Sequence, residues 1–169
     1  MGRNKTRRLV YLTLLSAMAI TINILESTYI PALPYGIRFG LANIIALITV
    51  ELFGVKEMLI VNMMRVVIGN LLRGLIFGST FWISLSGVLL SSLVLILSKK
   101  LLKLPILSMS MLSALGHSTG QVMMVMLMYN QSGMMLVIPY LLISAIPTGL
   151  LTGFTAQGAL RLLKKNVRF

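Results

Sequence analysis

The sequence predicts an all-α integral membrane protein: six transmembrane helices in one domain spanning residues 1–169, with both termini cytoplasmic. The first observation is apolarity. Hydrophobic residues make up 57% of the chain and charged residues only 11%, with a mean hydropathy of +0.96. A soluble domain of this size lacks the polar surface to cover so much apolar side chain. The second is length. The apolar stretches between basic blocks are each long enough for two crossings of a bilayer, at roughly 20 residues per crossing. The third is where the charges fall. All the basic residues except Arg38, Arg65 and Arg73 lie in four blocks: Arg3–Arg8, Lys56, Lys99–Lys103 and Arg161–Arg168. Threading the chain through six crossings puts all four blocks on one side, which the positive-inside rule makes the cytoplasmic side. The net charge of +12 is thereby explained without a nucleic-acid partner.

The first span is read at about residues 9–25. Its basic start imitates a signal peptide, but Glu26-Ser27-Thr28-Tyr29-Ile30-Pro31 follows in place of a small-residue cleavage site, so it is kept as a span. The outer segment from Glu26 to Arg38 holds Pro31, Pro34 and Gly36 and reads as a shaped loop, either a lid or an ordered connector. The second span, about 39–54, is short. The third, about 58–78, contains two arginines, Arg65 and Arg73, eight positions apart and therefore on similar faces, with Asn62 and Gly69 on the same stripe. The fourth runs over about 80–98, the fifth over 105–128 and the sixth over 134–160.

A cation at membrane depth costs about 2.5–3.5 kcal/mol on insertion scales, so an intramembrane arginine implies a partner or a function. Arg65 lies near the midplane, where an internal ion pair or a ligand anion is favoured over snorkelling, and Glu26 is the one glutamate on the outer side. Arg73 reads equally as a snorkelling interface residue. The outer half also collects Asn23, Glu26, Asn43, Asn70, His117, Gln121, Trp82 and Tyr140, and Arg38 is the one basic residue on that side. Together they describe an outward-opening pocket of cationic, amide and aromatic character. Against that stand plainer roles: His117 with Gln121 one turn on also suits interhelical hydrogen bonding, and Trp82 suits an interface anchor.

The missing chemistry narrows the function. The chain has no phosphate-binding G-x-x-x-x-G-K-[ST] loop, no aspartate, no cysteine and one histidine. It therefore lacks an ATPase site of that kind, an aspartate-rich Mg²⁺ cluster and a multi-histidine metal site. No activated nucleophile is expected, nor any cofactor of its own. A transporter or a binding subunit of one is what remains.

Small residues recur at four-residue spacing: Thr13, Ala17 and Thr21 in the first span, Gly116 and Gly120 in the fifth, Gly149 and Gly153 in the sixth. Such faces let helices approach closely. The glycine pairs are expected to pack within the bundle, whereas the first-span stripe suits another subunit equally well.

Pro34-Tyr-Gly-Ile-Arg-Phe-Gly-Leu-Ala-Asn43, Leu52-Phe-Gly-Val-Lys-Glu57, Arg65 with Gly69, Gly116-His117-Ser-Thr-Gly-Gln121 and Pro147-Thr-Gly-Leu-Leu-Thr-Gly153 resemble the blocks of the Gx transporter family, also described as heptaprenyl diphosphate synthase component I. The family is similar in size and topology to the substrate-binding S components of energy-coupling factor (ECF) transporters. The resemblance implies six helices in the cytoplasmic membrane of a prokaryote and capture of a small-molecule ligand, anionic or phosphorylated, flavin-like or isoprenoid-related. It also implies partnership with an ECF transmembrane coupling subunit and two ATPase subunits, which use the ATP. S components carry an alanine-xxx-alanine docking motif in the first helix; Thr13/Ala17/Thr21 stands in the corresponding place. Of the family's two names, an integral chain without aspartate favours the transport one. A stand-alone secondary transporter and a non-catalytic membrane accessory of isoprenoid or quinone biosynthesis are the alternatives.

Overall fold

A computed structural model describes the backbone of residues 2–29 and 40–166 and the side chains of 6–29 and 40–164. Among the described residues every regular element is helical. The order is α1 (Gly2–Tyr29), α2 (Asn43–Leu52), α3 (Val55–Leu72), α4 (Ser79–Lys100), α5 (Ile106–Tyr129) and α6 (Ile138–Asn166), with a 3-10 turn, Ser132–Val137, leading into α6. Residues 30–39, and with them Arg38 and most of the expected outer loop, lie outside the described residues.

α1 is longer than expected because nothing breaks it before Pro31; the hydroxyls of Ser27 and Thr28 bond the Ile24 carbonyl at 2.7 and 2.9 Å as the helix runs on. α2 is shorter than the span expected at 39–54. Ten residues rise only about 15 Å, half the hydrocarbon thickness. It is buried along most of its length and packs against α1, α3, α5 and α6. α3 also stops early, correcting the expected 58–78 span. Gly74, at φ +67°, takes the left-handed conformation, its N–H bonds Leu71 O at 3.0 Å, and Leu75 N–H bonds Asn70 O at 2.9 Å. That pair of bonds is a Schellman stop, and it puts Arg73 at the C-cap instead of along the helix stripe.

Among the described residues, three stretches are long and apolar enough to cross a membrane: Thr6–Tyr29, Ser79–Lys100 and Ser132–Lys164. α3 and α5, at 18 and 24 residues, carry Asn62, Arg65, Asn70, His117 and Gln121 of the polar interior. The distribution of polarity is inverted relative to a water-soluble protein. Leu9, Leu14, Leu89, Leu93, Leu127, Ile143, Leu151 and Phe154 face outward, while Asn43, Asn62, Arg65, Asn70, His117, Gln121 and a series of serines are buried. Such an arrangement suits hydrocarbon outside and a polar site within.

One end of the bundle is fixed by ion pairs. Arg8 near the start of α1 pairs with Glu57 in the first turn of α3, and Lys99 at the end of α4 pairs with Glu51 of α2 at 3.1 Å while also bonding the Val50 carbonyl. These contacts gather the start of α1, the α2–α3 joint and the end of α4 at the same end. A hydrophobic core of Leu15, Ile45, Leu47, Val50, Met58, Val61, Leu95, Met109, Ala156 and Leu160 lies behind them. A second core, Ile83, Val122, Val125, Met134 and Leu141, draws on α4, α5, the 3-10 turn and α6.

The glycine pairs of α5 and α6 pack inside the bundle. A Cβ on Gly120 would stand 2.7 Å from Ser86 O, and one on Gly116 2.9 Å from Val94 Cγ2, so α5 lies almost backbone to backbone on α4. Gly149 and Gly153 do the same for α6 on α5, meeting the Met111 backbone and the Leu107 and Ser110 side chains. Ser86 Oγ donates to Gly120 O at 2.9 Å, and Ser110 and Thr152 share a hydroxyl bond at 2.8 Å across α5 and α6. Pro147 interrupts the backbone ladder of α6, where the Ser144 and Thr148 hydroxyls bond the neighbouring carbonyls of Leu141, Ser144 and Ala145.

Candidate functional site

Four helices and the segment leading into α2 bring side chains to one small cavity. Asn23 and Glu26 come from α1, Gly40 and Ala42 from the approach to α2, Arg65 and Val66 from α3, Ser84 and Val88 from α4, and His117 and Gln121 from α5. Arg65 is the bulkiest of the fully buried side chains, with 1% of its surface exposed. Two of its nitrogens, Nη1 and Nη2, donate to Asn43 Oδ1, each at 3.3 Å. That contact fixes the Asn43 amide with its oxygen toward the guanidinium and its nitrogen toward Gly40. The Nδ2 atom there has no hydrogen-bond acceptor, although Asn43 is only 3% exposed.

Glu26 supplies the negative charge. Its two carboxylate oxygens accept the N–H groups of Gly40 and Leu41 at 2.7 and 3.0 Å. Those N–H groups precede α2, whose first turn is closed by Asn43 N–H to Gly40 O and Ile44 N–H to Leu41 O. A carboxylate at this helix start satisfies donors that no helical carbonyl reaches and opposes the positive end of the helix dipole. Glu26 and Arg65 line the same cavity, so each buried charge has an opposite one facing the same space.

Glycines let these groups converge. Gly40 sits at φ +78°, and a Cβ there would meet His117 Cδ2 at 2.8 Å and Asn43 Nδ2 at 3.3 Å. Gly87 on α4 leaves room for His117 and Gln121 of α5; its Cβ would lie 2.8 Å from Gln121 Cγ and 3.1 Å from His117 Cε1. On the other wall, Gly69 gives Asn23 Oδ1 its place between α1 and α3. The enclosed space is narrow. About 10 Å³ is open to the centre of a water-sized sphere, the scale of a single water, so an organic ligand enters only as the helices or side chains part.

Of the residues singled out in the sequence, Asn23, Glu26, Arg65, His117 and Gln121 line this cavity and Asn43 is bonded into it. Asn70, buried, donates to Val66 O at 2.7 Å and accepts from Arg73 Nη2 at 2.7 Å, while Arg73 Nε donates to Gly69 O at 3.0 Å. These two residues close the C-terminal turn of α3 and do not line the cavity. Trp82 stands edge-on to Phe81 at 5.3 Å and is partly exposed, and Tyr140 is 76% exposed; neither lines it. Arg38 lies outside the described residues. Ser84, Gly87 and Gly40 are the lining and packing positions that sequence reasoning passed over. The closest signal was Gly87, one residue before Val88 and three after Ser84.

The first-helix stripe has a different surrounding. Thr13, Ala17 and Thr21 are all exposed on α1, beside exposed Val10, Leu14, Met18 and Leu25, while Leu15, Ser16 and Ala19 make the inward face. No groups of three or more His, Cys, Asp or Glu able to hold a metal ion occur among the described residues.

An outward apolar shell around a buried polar cluster is the arrangement of a helical membrane protein. The chain belongs to the heptaprenyl diphosphate synthase component I family, whose model matches residues 15–159. No curated protein and no solved structure matched it.

Proposed function

We propose that this chain is the substrate-binding membrane subunit, the S component, of an ECF-type transporter in a prokaryotic cytoplasmic membrane. It takes a small organic anion, a phosphorylated or carboxylated cofactor of flavin-like or isoprenoid-related kind, from the outer side. The observation that carries this reading is the buried Arg65 cluster. Residues of α1, α2, α4 and α5 gather around the α3 guanidinium, with amides, a hydroxyl and an imidazole among them. An arginine fork pairs both oxygens of a carboxylate or phosphate, which a lysine does only as a point charge. The exposed Thr13/Ala17/Thr21 stripe supports docking of the coupling subunit, and the ATP is used by the two ATPase partners. Both termini are cytoplasmic in this reading. No catalytic role is assigned: the chain has no aspartate to hold Mg²⁺ against a diphosphate.

Mass spectrometry of the small molecules that co-purify with the detergent-solubilised protein tests the ligand class directly. Truncating one member of a buried charge pair costs about 2–5 kcal/mol, so Arg65→Ala is expected to weaken binding more than tenfold and Arg65→Lys to restore part of it. A neutral ligand, or equal binding by Arg65→Ala, refutes the site. Ala17→Trp is expected to abolish co-purification of the coupling subunit and ATPases while leaving ligand binding intact. Transport by the isolated chain in liposomes without ATPases would establish a secondary transporter instead.

The family name favours a second reading, in which the chain is a non-catalytic membrane component that seats a prenyl diphosphate synthase partner. The arginine site would then hold a prenyl diphosphate, an anion with an apolar tail. Co-purification of an aspartate-rich soluble subunit in place of ATPases decides for it.

A further inference from the structure

We infer that the groove at the start of α1, lined by Thr6, Arg7, Val10 and Tyr11, seats the headgroup of an anionic phospholipid. The site is separate from the Arg65 cavity and stands whether or not the transport reading does.

Glu26, Glu51 and Glu57 are the only acidic side chains in the whole sequence, so no residue outside the described ones adds another. All three are placed. Glu57 pairs with Arg8, Glu51 pairs with Lys99, and Glu26 lines the cavity at the other end of α1. Arg7, Lys56, Lys100, Lys103, Arg161 and Lys164 are then left, all exposed, at the end of the bundle that the ion pairs fix. No further acidic side chain exists to neutralise them. Their counter-charge comes from outside the molecule.

Depth selects the class of anion. Thr6–Tyr29 is apolar and long enough to cross a membrane, and Thr6 and Arg7 open it. Arg7 therefore stands where hydrocarbon gives way to headgroups, a depth at which an arginine keeps its stem in the apolar layer and its guanidinium in the polar one. Val10, 53% exposed, follows on the same face, and exposed Leu14 comes one turn after it. Tyr11, an aromatic residue of the kind enriched at such interfaces, closes the groove on the side of Phe53, whose ring lies 6.4 Å away. Lys56 follows Phe53 by three residues and is exposed at the start of α3. The groove measures about 490 Å³, against about 10 Å³ for the Arg65 cavity, so a headgroup fits without any helix moving. An arginine fork suits the two free oxygens of a phosphodiester. A cation with hydrocarbon-facing side chains within two turns of it matches a phosphate that carries acyl chains. A nucleic acid or an acidic peptide would use the cations and leave Val10 and Leu14 without a role.

The test uses the purified full-length chain in a neutral detergent, titrated with dioleoyl phosphatidylglycerol and with dioleoyl phosphatidylcholine, which share their tails. Native mass spectrometry counts the lipid bound. A basic residue near an anionic lipid surface is worth about fivefold in affinity, so phosphatidylglycerol is expected to bind about tenfold or more tightly than phosphatidylcholine. Arg7→Gln should weaken phosphatidylglycerol about fivefold, and Arg7→Gln with Lys56→Gln about twenty-five-fold, with phosphatidylcholine unchanged. Equal binding of the two lipids by the wild-type chain overturns the inference, and that comparison needs no variant. A loss on Lys103→Gln as large as that on Arg7→Gln overturns it too, because the attraction would then belong to the whole basic end and not to the groove. Glycerol 3-phosphate supplies a phosphate without tails. If it displaces phosphatidylglycerol at a similar concentration, the groove takes a free phosphate and the lipid assignment fails.

Discussion

Adding one methyl group at two different glycines should shift stability in opposite directions. At Gly120 a Cβ would lie 2.7 Å from Ser86 O and 3.0 Å from Gly87 Cα, where ordinary contact begins at 3.4 Å, a shortfall of about 0.7 Å against the carbonyl. Both obstacles are backbone, so no side chain can swing aside. α4 and α5 must separate, which also stretches the Ser86–Gly120 hydrogen bond of 2.9 Å. Overpacking of this kind costs about 1–3 kcal/mol. At about 2–4 °C per kcal/mol for a chain of this length, Gly120→Ala should melt about 2–12 °C below the parent in detergent. At Gly158, exposed on α6, a Cβ meets nothing within 4 Å. Alanine there gains only helix propensity, about 0.8–1 kcal/mol, and should raise the melting temperature by about 2–4 °C. Fluorescence-detected melting of the two variants beside the parent is sufficient. Shifts of the same sign, or a Gly120→Ala melt indistinguishable from the parent, would refute the close α4–α5 packing that positions His117 and Gln121.

Three further expectations follow from other parts of the bundle. Reporter fusions at Ser132 and at Lys100 should show external and cytoplasmic sidedness respectively, and the same sidedness at both would overturn the six-span threading. Gly40→Ala combines a left-handed backbone with a 2.8 Å clash against His117, so it should lower stability by more than 1 kcal/mol, read as a drop in melting temperature; an unchanged melt would mean that His117 does not sit against Gly40. Arg73→Ala removes the contacts closing α3 and should cost about 0.5–1.5 kcal/mol while leaving ligand binding within a few-fold of wild type; a loss as large as that of Arg65→Ala would put Arg73 in the site.

Much of the helical plan was legible because long apolar runs separated by basic blocks leave few alternatives. The boundaries that went astray did so for local reasons. α3 was drawn too long because its stop depends on a left-handed Gly74 and two backbone bonds, and a lone glycine does not announce those. The burial of Arg65 was readable from energetics alone. That of Arg73 was not, since a C-capping arginine and a ligand-binding one share the same spacing. Trp82 and Tyr140 lie at suitable depths, but depth says nothing about the direction a side chain takes around its helix. The bonds from Gly40 and Leu41 N–H to Glu26 have no sequence signature, because a carboxylate fourteen and fifteen positions from its donors looks like any other glutamate. The Thr13/Ala17/Thr21 spacing suggests a close-packing face but names no neighbour, and within the chain the stripe is exposed.

The brevity of α2 bears on how the protein is made. A ten-residue helix is too short for the insertion machinery to recognise and release into lipid alone, and α3 with its buried arginine is a poor candidate as well. α1, α4 and α6 are apolar enough to partition individually. The order of settling in the bilayer is therefore expected to depart from the order of synthesis. The three self-sufficient helices go in on their own merits, and α2, α3 and α5 follow into the gap between them, exchanging water for one another's polar groups. Arg65, His117 and Gln121 thus sit on segments that depend on the rest of the chain for a place in the membrane. Substitutions in lipid-facing α1 or α6 are then expected to reach the cluster through assembly, without touching any residue that lines it.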